Sequence, residues 1–174
     1  MEEEPKKLPR EVLKPNTQNS GSWEYSYKNG KDDNLKSDFE HLEEMMLKDR
    51  GVDLKKAKVL ELGSGNGFFL DYMISQGVDA VGLDIRPRSE GSKSSQVIAR
   101  IEQLPFADES FDVVYSQQIF DSKVYDQNQT MMFREIFRVL KHGGIYFGAL
   151  EFLSFQIDGF IRDSNKNWDI YKKL

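Results

Sequence analysis

The residues best suited to ligand chemistry form a glycine loop, Glu61–Gly67, which begins within the short apolar run Val59–Leu62. Where a buried strand turns sharply into a helix, glycines adopt unusual backbone dihedral angles and let a ligand approach the main chain closely. The first N–H groups of the following helix have no partner within that helix and are available to the ligand. The glycine loop therefore predicts a nucleotide-like ligand at a strand-to-helix turn.

The spacing and charge of the glycine loop distinguish between two such ligands. A dinucleotide-binding loop usually has the spacing G-x-G-x-x-G, and here Phe68 occupies the position of the third glycine. Glu61 would place a negative charge beside a pyrophosphate, whereas it suits a ligand that carries an ammonium and a sulfonium group. The loop thus favours S-adenosylmethionine over NAD, and no residue suited to handling a hydride is apparent.

A carboxylate, Asp84, ends the next apolar run, Ala80–Leu83, about 20 residues beyond the loop. At this position a carboxylate can accept hydrogen bonds from both hydroxyls of a ribose, and it does so for either cofactor. Alternatively, the glycines form a plain tight turn and Asp84 caps a helical segment. The ordered combination of loop and carboxylate favours the cofactor interpretation.

The elements that must position these residues alternate along the chain. Apolar residues at helical spacing predict helices, and short apolar runs bounded by glycine or polar residues predict strands. The predicted helices are 33–50, 68–74 and 132–140, and the predicted strands are 59–62, 80–84, 96–98, 111–115, 145–150, 160–162 and 168–171. The pattern predicts an α/β fold with a doubly wound, mostly parallel sheet, to which a hairpin of the last two strands would add an antiparallel edge.

Four motifs in this order resemble the class I S-adenosylmethionine-dependent methyltransferases, and among them the type 11 group typified by quinone-biosynthesis enzymes. The motifs are Leu60–Gly67, Val81–Ile85, Leu104–Val114 and Arg134–Gly144. The resemblance runs from about Lys58 to Leu150 and implies a Rossmann-like fold with a seven-stranded sheet. It also implies an abbreviated C-terminal part, because few residues remain after Leu150 for the family's last helix and two strands.

The resemblance implies a role for each motif in binding S-adenosylmethionine. Glu61 and the loop would hold the methionine part, Asp84 the ribose, and Ile85 one face of the adenine. The complete set of implied cofactor-binding residues is Glu61, Gly63, Ser64, Gly65, Gly67, Asp84, Ile85, Ile101, Glu102, Ser116 and Gln117, the last two beside the methyl group. Arg100 departs from the family, which commonly has there an acidic residue that accepts a hydrogen bond from the adenine amino group. Glu102 or a backbone carbonyl then takes over this contact, or the cofactor binds weakly.

The sequence leaves the catalytic residues unassigned. Methyl transfer from a sulfonium is an in-line displacement, which needs a general base only if the acceptor loses a proton during attack. His41 and His142 are interpreted as solvated residues. Because no Asn-Pro-Pro-aromatic motif follows the fourth strand, a small-molecule oxygen or carbon acceptor is favoured over an amine. The candidate acceptor contacts are Gln117, Gln118, Phe120 and Tyr125, and the candidates for a lid or for an anchor of the N-terminal segment are Trp23, Tyr25 and Tyr27.

Composition excludes several other classes of function. The absence of cysteine excludes disulfides, thiolate nucleophiles and cysteine-ligated zinc, and it suits a reducing cytoplasm; no metal site is predicted. The formal net charge of −5 disfavours nucleic acid as a partner, and no apolar run approaches the roughly 20 residues that span a membrane. We expect a soluble protein with a flexible tail, residues 1–20, and one domain, residues 21–174, which the resemblance implies is a class I methyltransferase domain. The alternative hypothesis is a catalytically silent module of the same fold that binds a protein partner.

Overall fold

The computed structural model describes residues 32–87, 96–116, 119, 129–148, 160–165 and 168–174, and within them the chain forms three α-helices and seven β-strands. The helices are α1 (Asp32–Glu44), α2 (Phe68–Ser75) and α3 (Gln129–Val139). The strands are β1 (Lys58–Leu62), β2 (Asp79–Asp84), β3 (Gln96–Ile98), β4 (Phe111–Ser116), β5 (Leu140–Gly148), β6 (Phe160–Asn165) and β7 (Trp168–Lys173). A π-helical turn, Met45–Asp49, continues α1, and a short 3₁₀ helix, Leu54–Lys56, precedes β1.

The strands form one sheet in the order β3-β2-β1-β4-β5-β7-β6. Strands β1 to β5 pair in parallel, and β7 runs antiparallel to both of its neighbours. The predicted α/β fold with a mostly parallel sheet is therefore confirmed. The reversed strand, β7, lies one position inside the edge, because β6 of the same hairpin pairs outside it.

Two apolar cores cover the two faces of the sheet. Successive side chains of a strand point to opposite faces, so Val113 and Tyr115 of β4 pack with α1 and α2, whereas Val114 packs with α3. The strands between these layers are buried on both sides. This is why the central strands have nearly continuous apolar sequences rather than an alternation of apolar and polar residues.

The boundary between α3 and β5 differs from the sequence prediction. The predicted helix included Leu140, but α3 ends at Val139 and β5 begins at Leu140, which pairs with Phe111 of β4. The left-handed Gly143 (φ 76°) lies within the strand instead of ending a helix. Leu140 is buried in either arrangement, so the local apolar pattern does not distinguish them, and the pairing with β4 decides.

Helix α3 holds the segment that connects β3 to β4. The Arg138 guanidinium donates hydrogen bonds to the carbonyl oxygens of Leu104 (2.9 Å) and Phe106 (2.8 Å). Glu135 accepts a hydrogen bond from the Leu104 N–H (2.7 Å) and from Arg138 Nε (2.8 Å). Two side chains of one helical turn thus form hydrogen bonds with the backbone of a segment that is not part of the sheet.

Acid is expected to destabilise the fold partly through Glu135. The hydrogen bond from Arg138 lowers the pKa of Glu135; burial opposes this effect, and the Leu104 N–H reinforces it. This contribution to stability is therefore present above the unfolded-state pKa, about 4.3, and is lost as the pH falls through the lower folded-state value. Urea titrations at a series of pH values should show a weaker loss in acid for Glu135→Gln, which is less stable at neutral pH by about 1 kcal/mol.

The control for this prediction is Glu40→Gln, which changes an exposed carboxylate of α1 whose side chain is 62% exposed. It is expected to keep the acid dependence of the unmodified protein. Equal loss of stability in acid for Glu135→Gln and the unmodified protein would contradict the role assigned to Glu135.

Candidate functional site

The glycine loop lies where the order of strands reverses. It follows β1, which has β2 on one side and β4 on the other. In open α/β sheets, ligands bind beyond the carboxyl ends of the strands at such a switch point. The topology therefore locates the candidate site at the same residues as the sequence motif.

Left-handed glycines give the loop its shape. Gly63, Gly65 and Gly67 have φ values of 69°, 51° and 77°, which residues with a Cβ rarely adopt. The N–H groups of Gly63 and Ser64 both donate to the carbonyl oxygen of Leu83, at 2.7 and 3.0 Å. The loop is thus fastened to β2 before α2 begins.

Asp84 joins the loop to the end of β2. Its Oδ2 accepts a hydrogen bond from the Gly65 N–H (2.9 Å), and its Oδ1 accepts one from the Arg86 N–H (2.9 Å). The residue is 8% exposed. Because each carboxylate oxygen can accept more than one hydrogen bond, Asp84 retains capacity for ligand hydroxyls while it holds the loop.

Glu61 places a buried carboxylate at the centre of the sheet. It lies in β1 with Gly82 of β2 and Tyr115 of β4 as its neighbours in register, and it is 6% exposed. Its negative charge next to the loop would repel a phosphate and attract a cationic ligand group.

Ser64 forms a hydrogen bond with a residue of the sheet that the sequence did not predict. Its hydroxyl accepts a hydrogen bond from Gln96 Nε2 (2.9 Å), and the same amide nitrogen lies 3.3 Å from the Gly65 carbonyl oxygen. The sequence identifies Gln96 only as a strand residue. No local signal identifies this contact, because it depends on the pairing of β3 beside β2.

The residues implied to surround the adenine follow β2 and β3. Ile85 directly follows Asp84, and the Ala99 N–H donates to the Asp84 carbonyl oxygen (3.1 Å), so the two segments adjoin. The Ile101 side chain is 1% exposed and packs in the core beside α3. Arg100 Nη2 donates to Glu102 Oε1 (2.6 Å), so the residue that departs from the family pattern pairs with the Glu102 carboxylate.

Ser116, at the carboxyl end of β4, has its hydroxyl in the core. It is 1% exposed and shares a hydrogen bond with the Tyr146 hydroxyl (2.6 Å). Several sequence-predicted residues lie outside the described part of the chain: Gln117, Gln118, Phe120, Tyr125, Trp23, Tyr25, Tyr27 and the tail, residues 1–20. Their interpretation stays a prediction.

Among the described residues, no group of three or more His, Asp or Glu side chains is arranged to hold a metal ion. Within the same ranges, no helix combines the length and apolar character needed to cross a bilayer.

Comparison with known proteins matches residues 60–148 to a family model described as a methyltransferase domain. An uncharacterized methyltransferase of Synechocystis is 33% identical over 95 residues, which cover 51% of this chain and 44% of that protein. The chain spans between about a fifth (19%) and about half (54%) of the length of the curated relatives it matches.

Two solved structures show the same fold. A protein from Pyrococcus horikoshii aligns with a TM-score of 0.56 at 20% identity, over 80% of this chain and 91% of that chain. A chain in the complex between the Haloferax volcanii Trm112 methyltransferase activator and its proposed methyltransferase aligns with a TM-score of 0.51 at 25% identity. This second alignment covers 73% of the present chain and 59% of the other.

Proposed function

Because the chain belongs to the methyltransferase-domain family that matches its residues 60–148, we propose that it transfers a methyl group from S-adenosylmethionine to an acceptor. The observation that carries the proposal is the hydrogen bond from the Gly65 N–H to Asp84 (2.9 Å). It joins a glycine loop and a carboxylate, the two parts of a nucleoside-binding site, at the switch point of the sheet.

The chemistry of the donor set fits this cofactor. Glu61 would attract the ammonium and sulfonium charges, Asp84 would accept from the ribose hydroxyls, and Ile85 would pack on the adenine. When bound, S-adenosylmethionine supplies an electrophilic methyl group on sulfur. The chain's own contribution is to hold that group in line with the acceptor and to exclude water, because alignment alone gives well-oriented reactants a large advantage.

We propose a small molecule with an oxygen or carbon nucleophile as the acceptor. The sequence after β4 lacks the Asn-Pro-Pro-aromatic motif that often accompanies amine methylation. The residues proposed to contact the acceptor are Gln117, Gln118, Phe120 and Tyr125, which follow β4 in the sequence.

The alternative is a catalytically silent module that keeps the fold and binds a protein partner. One observation favours the silence: Arg100 is paired with Glu102 where the family commonly has an acidic residue. The alignment with a chain from a complex with a methyltransferase activator supports a protein partner, for an active enzyme as well as for a silent module.

Binding of S-adenosylhomocysteine tests the proposed cofactor. A ligand present at about 100 times its Kd stabilises the folded state by about 2.7 kcal/mol, which raises the Tm by roughly 5 to 10 °C for a chain of this size. Asp84→Ala is expected to remove the shift measured by thermal unfolding. The matched control is Asp79→Ala, at the other end of the same strand, which should keep it. An unchanged Tm of the unmodified protein at about 1 mM ligand would overturn the proposed cofactor.

Methyl transfer distinguishes the enzyme from the silent module. Incubation of the protein with S-adenosylmethionine labelled in its methyl group and a fractionated cell extract should label a small molecule, and Asp84→Ala should abolish the labelling. Binding of S-adenosylhomocysteine without labelling of any small molecule would favour the silent module.

A further inference from the structure

We propose that Gln96 is a positioning residue that holds the glycine loop in its ligand-binding conformation; the inference rests on the proposed function. Gln96 is the first residue of β3 and is the partner of Gly82 in register. From the edge of the sheet, its side-chain amide reaches the loop that follows β1. It donates to the Ser64 hydroxyl (2.9 Å) and lies 3.3 Å from the Gly65 carbonyl oxygen.

The two polar groups of the Gly65 main chain are held by different strands. Its N–H donates to Asp84 of β2 (2.9 Å), and its carbonyl oxygen faces the Gln96 amide of β3. A glycine with φ 51° gains little restraint from its own backbone preferences. Side-chain hydrogen bonds on both sides of Gly65 therefore fix the direction of this part of the loop.

The space for this arrangement is provided by Gly82, which has no side chain. A Cβ at this position would lie 2.7 Å from the Ser64 hydroxyl oxygen, so the Ser64 side chain packs directly against the backbone of β2. Ser64 thus points into the sheet, where Gln96 meets it. The Ser64 side chain therefore affects the ligand through the loop's position and not through a contact of its own.

A loop that is ordered before binding does not need to be ordered by the ligand. Fixing a residue's backbone costs conformational entropy, and a preorganised site avoids that cost at the moment of binding. Gln96 should therefore increase affinity for the cofactor without changing the rate of the chemical step. A merely structural role would lower the Tm and leave affinity unchanged.

Gln96→Leu removes the amide donor while keeping a side chain of similar size. We expect affinity for S-adenosylhomocysteine to fall about tenfold by calorimetric titration, with the KM for S-adenosylmethionine raised by a similar factor and kcat unchanged. Gln76→Leu makes the same substitution at an exposed residue directly after α2 and should leave the affinity, the KM and kcat unchanged.

Ser64→Ala, which removes only the hydroxyl acceptor, provides a second variant should Gln96→Leu fold poorly. It is expected to weaken binding about threefold, and the double variant should bind no more weakly than Gln96→Leu, because the Ser64 hydroxyl acts only through its contact with Gln96. Unchanged affinity in both single variants, with the unmodified protein binding normally, would overturn the inference alone. Failure of the unmodified protein to bind S-adenosylhomocysteine would overturn the proposed function and the inference together.

Discussion

Replacing Arg138 by Met is expected to lower the free energy of unfolding by about 3 kcal/mol. The guanidinium donates to the carbonyl oxygens of Leu104 and Phe106 and to the Glu135 carboxylate, and its side chain is 30% exposed. Methionine preserves the aliphatic length but donates no hydrogen bond. Glu135 then loses its charged partner at a half-buried position, which costs more than an exposed pair would.

Chemical denaturation of matched variants measures this effect. Arg134→Met changes an exposed position of the same helix and should alter stability by no more than about 0.5 kcal/mol. Arg138→Lys keeps the charge but not the planar, forked donor group, so its stability should fall between those of Arg138→Met and the unmodified protein. Equal stabilities for the two methionine variants would show that the hydrogen bonds of Arg138 do not hold the segment after β3.

The parts of the fold that the sequence predicted correctly are those encoded by local patterns. Apolar runs bounded by glycine identified β1 and β2, and helical spacing identified α1 and α3. The glycine loop and Asp84 adjoin in the structure, where a hydrogen bond joins them, and their shared role in binding a ligand stays a prediction. In each case the controlling interactions lie within one βαβ unit or one helix, so a short stretch of sequence contains them.

The contacts that sequence reasoning missed join residues far apart in the chain. Gln96 meets Ser64 only because β3 lies beside β2. The Lys173 ammonium donates to the Phe137 carbonyl oxygen in the last turn of α3 and to the Leu140 carbonyl oxygen at the start of β5. These contacts depend on the pairing of β7 with β5. The order of the strands in the sheet determines these contacts. The periodicity of apolar residues within one segment does not predict that order. The predicted start of β5 was wrong for the same reason, because pairing with β4 sets where the strand begins.

Gly82→Ala is expected to weaken S-adenosylhomocysteine binding by at least about tenfold and to lower the free energy of unfolding by about 1 to 3 kcal/mol. The new Cβ would lie 2.5 Å from Leu70 Cδ2 and 2.7 Å from the Ser64 hydroxyl oxygen. Leu70, a residue of α2, is fully buried and has little room to move, so we expect the Ser64 side chain to be displaced. The displaced hydroxyl would leave the Gln96 amide, and the loop would lose the orientation that the ligand needs.

A second crowded glycine separates this effect on binding from general destabilisation. Gly144 lies near the opposite end of the sheet, and a Cβ there would lie 2.8 Å from the Lys141 carbonyl oxygen. Gly144→Ala should therefore lose stability to a similar extent while binding S-adenosylhomocysteine with unchanged affinity, because no part of the glycine loop adjoins it. Calorimetric titration well below the Tm of each variant makes the comparison. Equal affinities for Gly82→Ala and Gly144→Ala would mean that the loop tolerates displacement of Ser64, and that its ligand is held by Asp84 and the main chain alone.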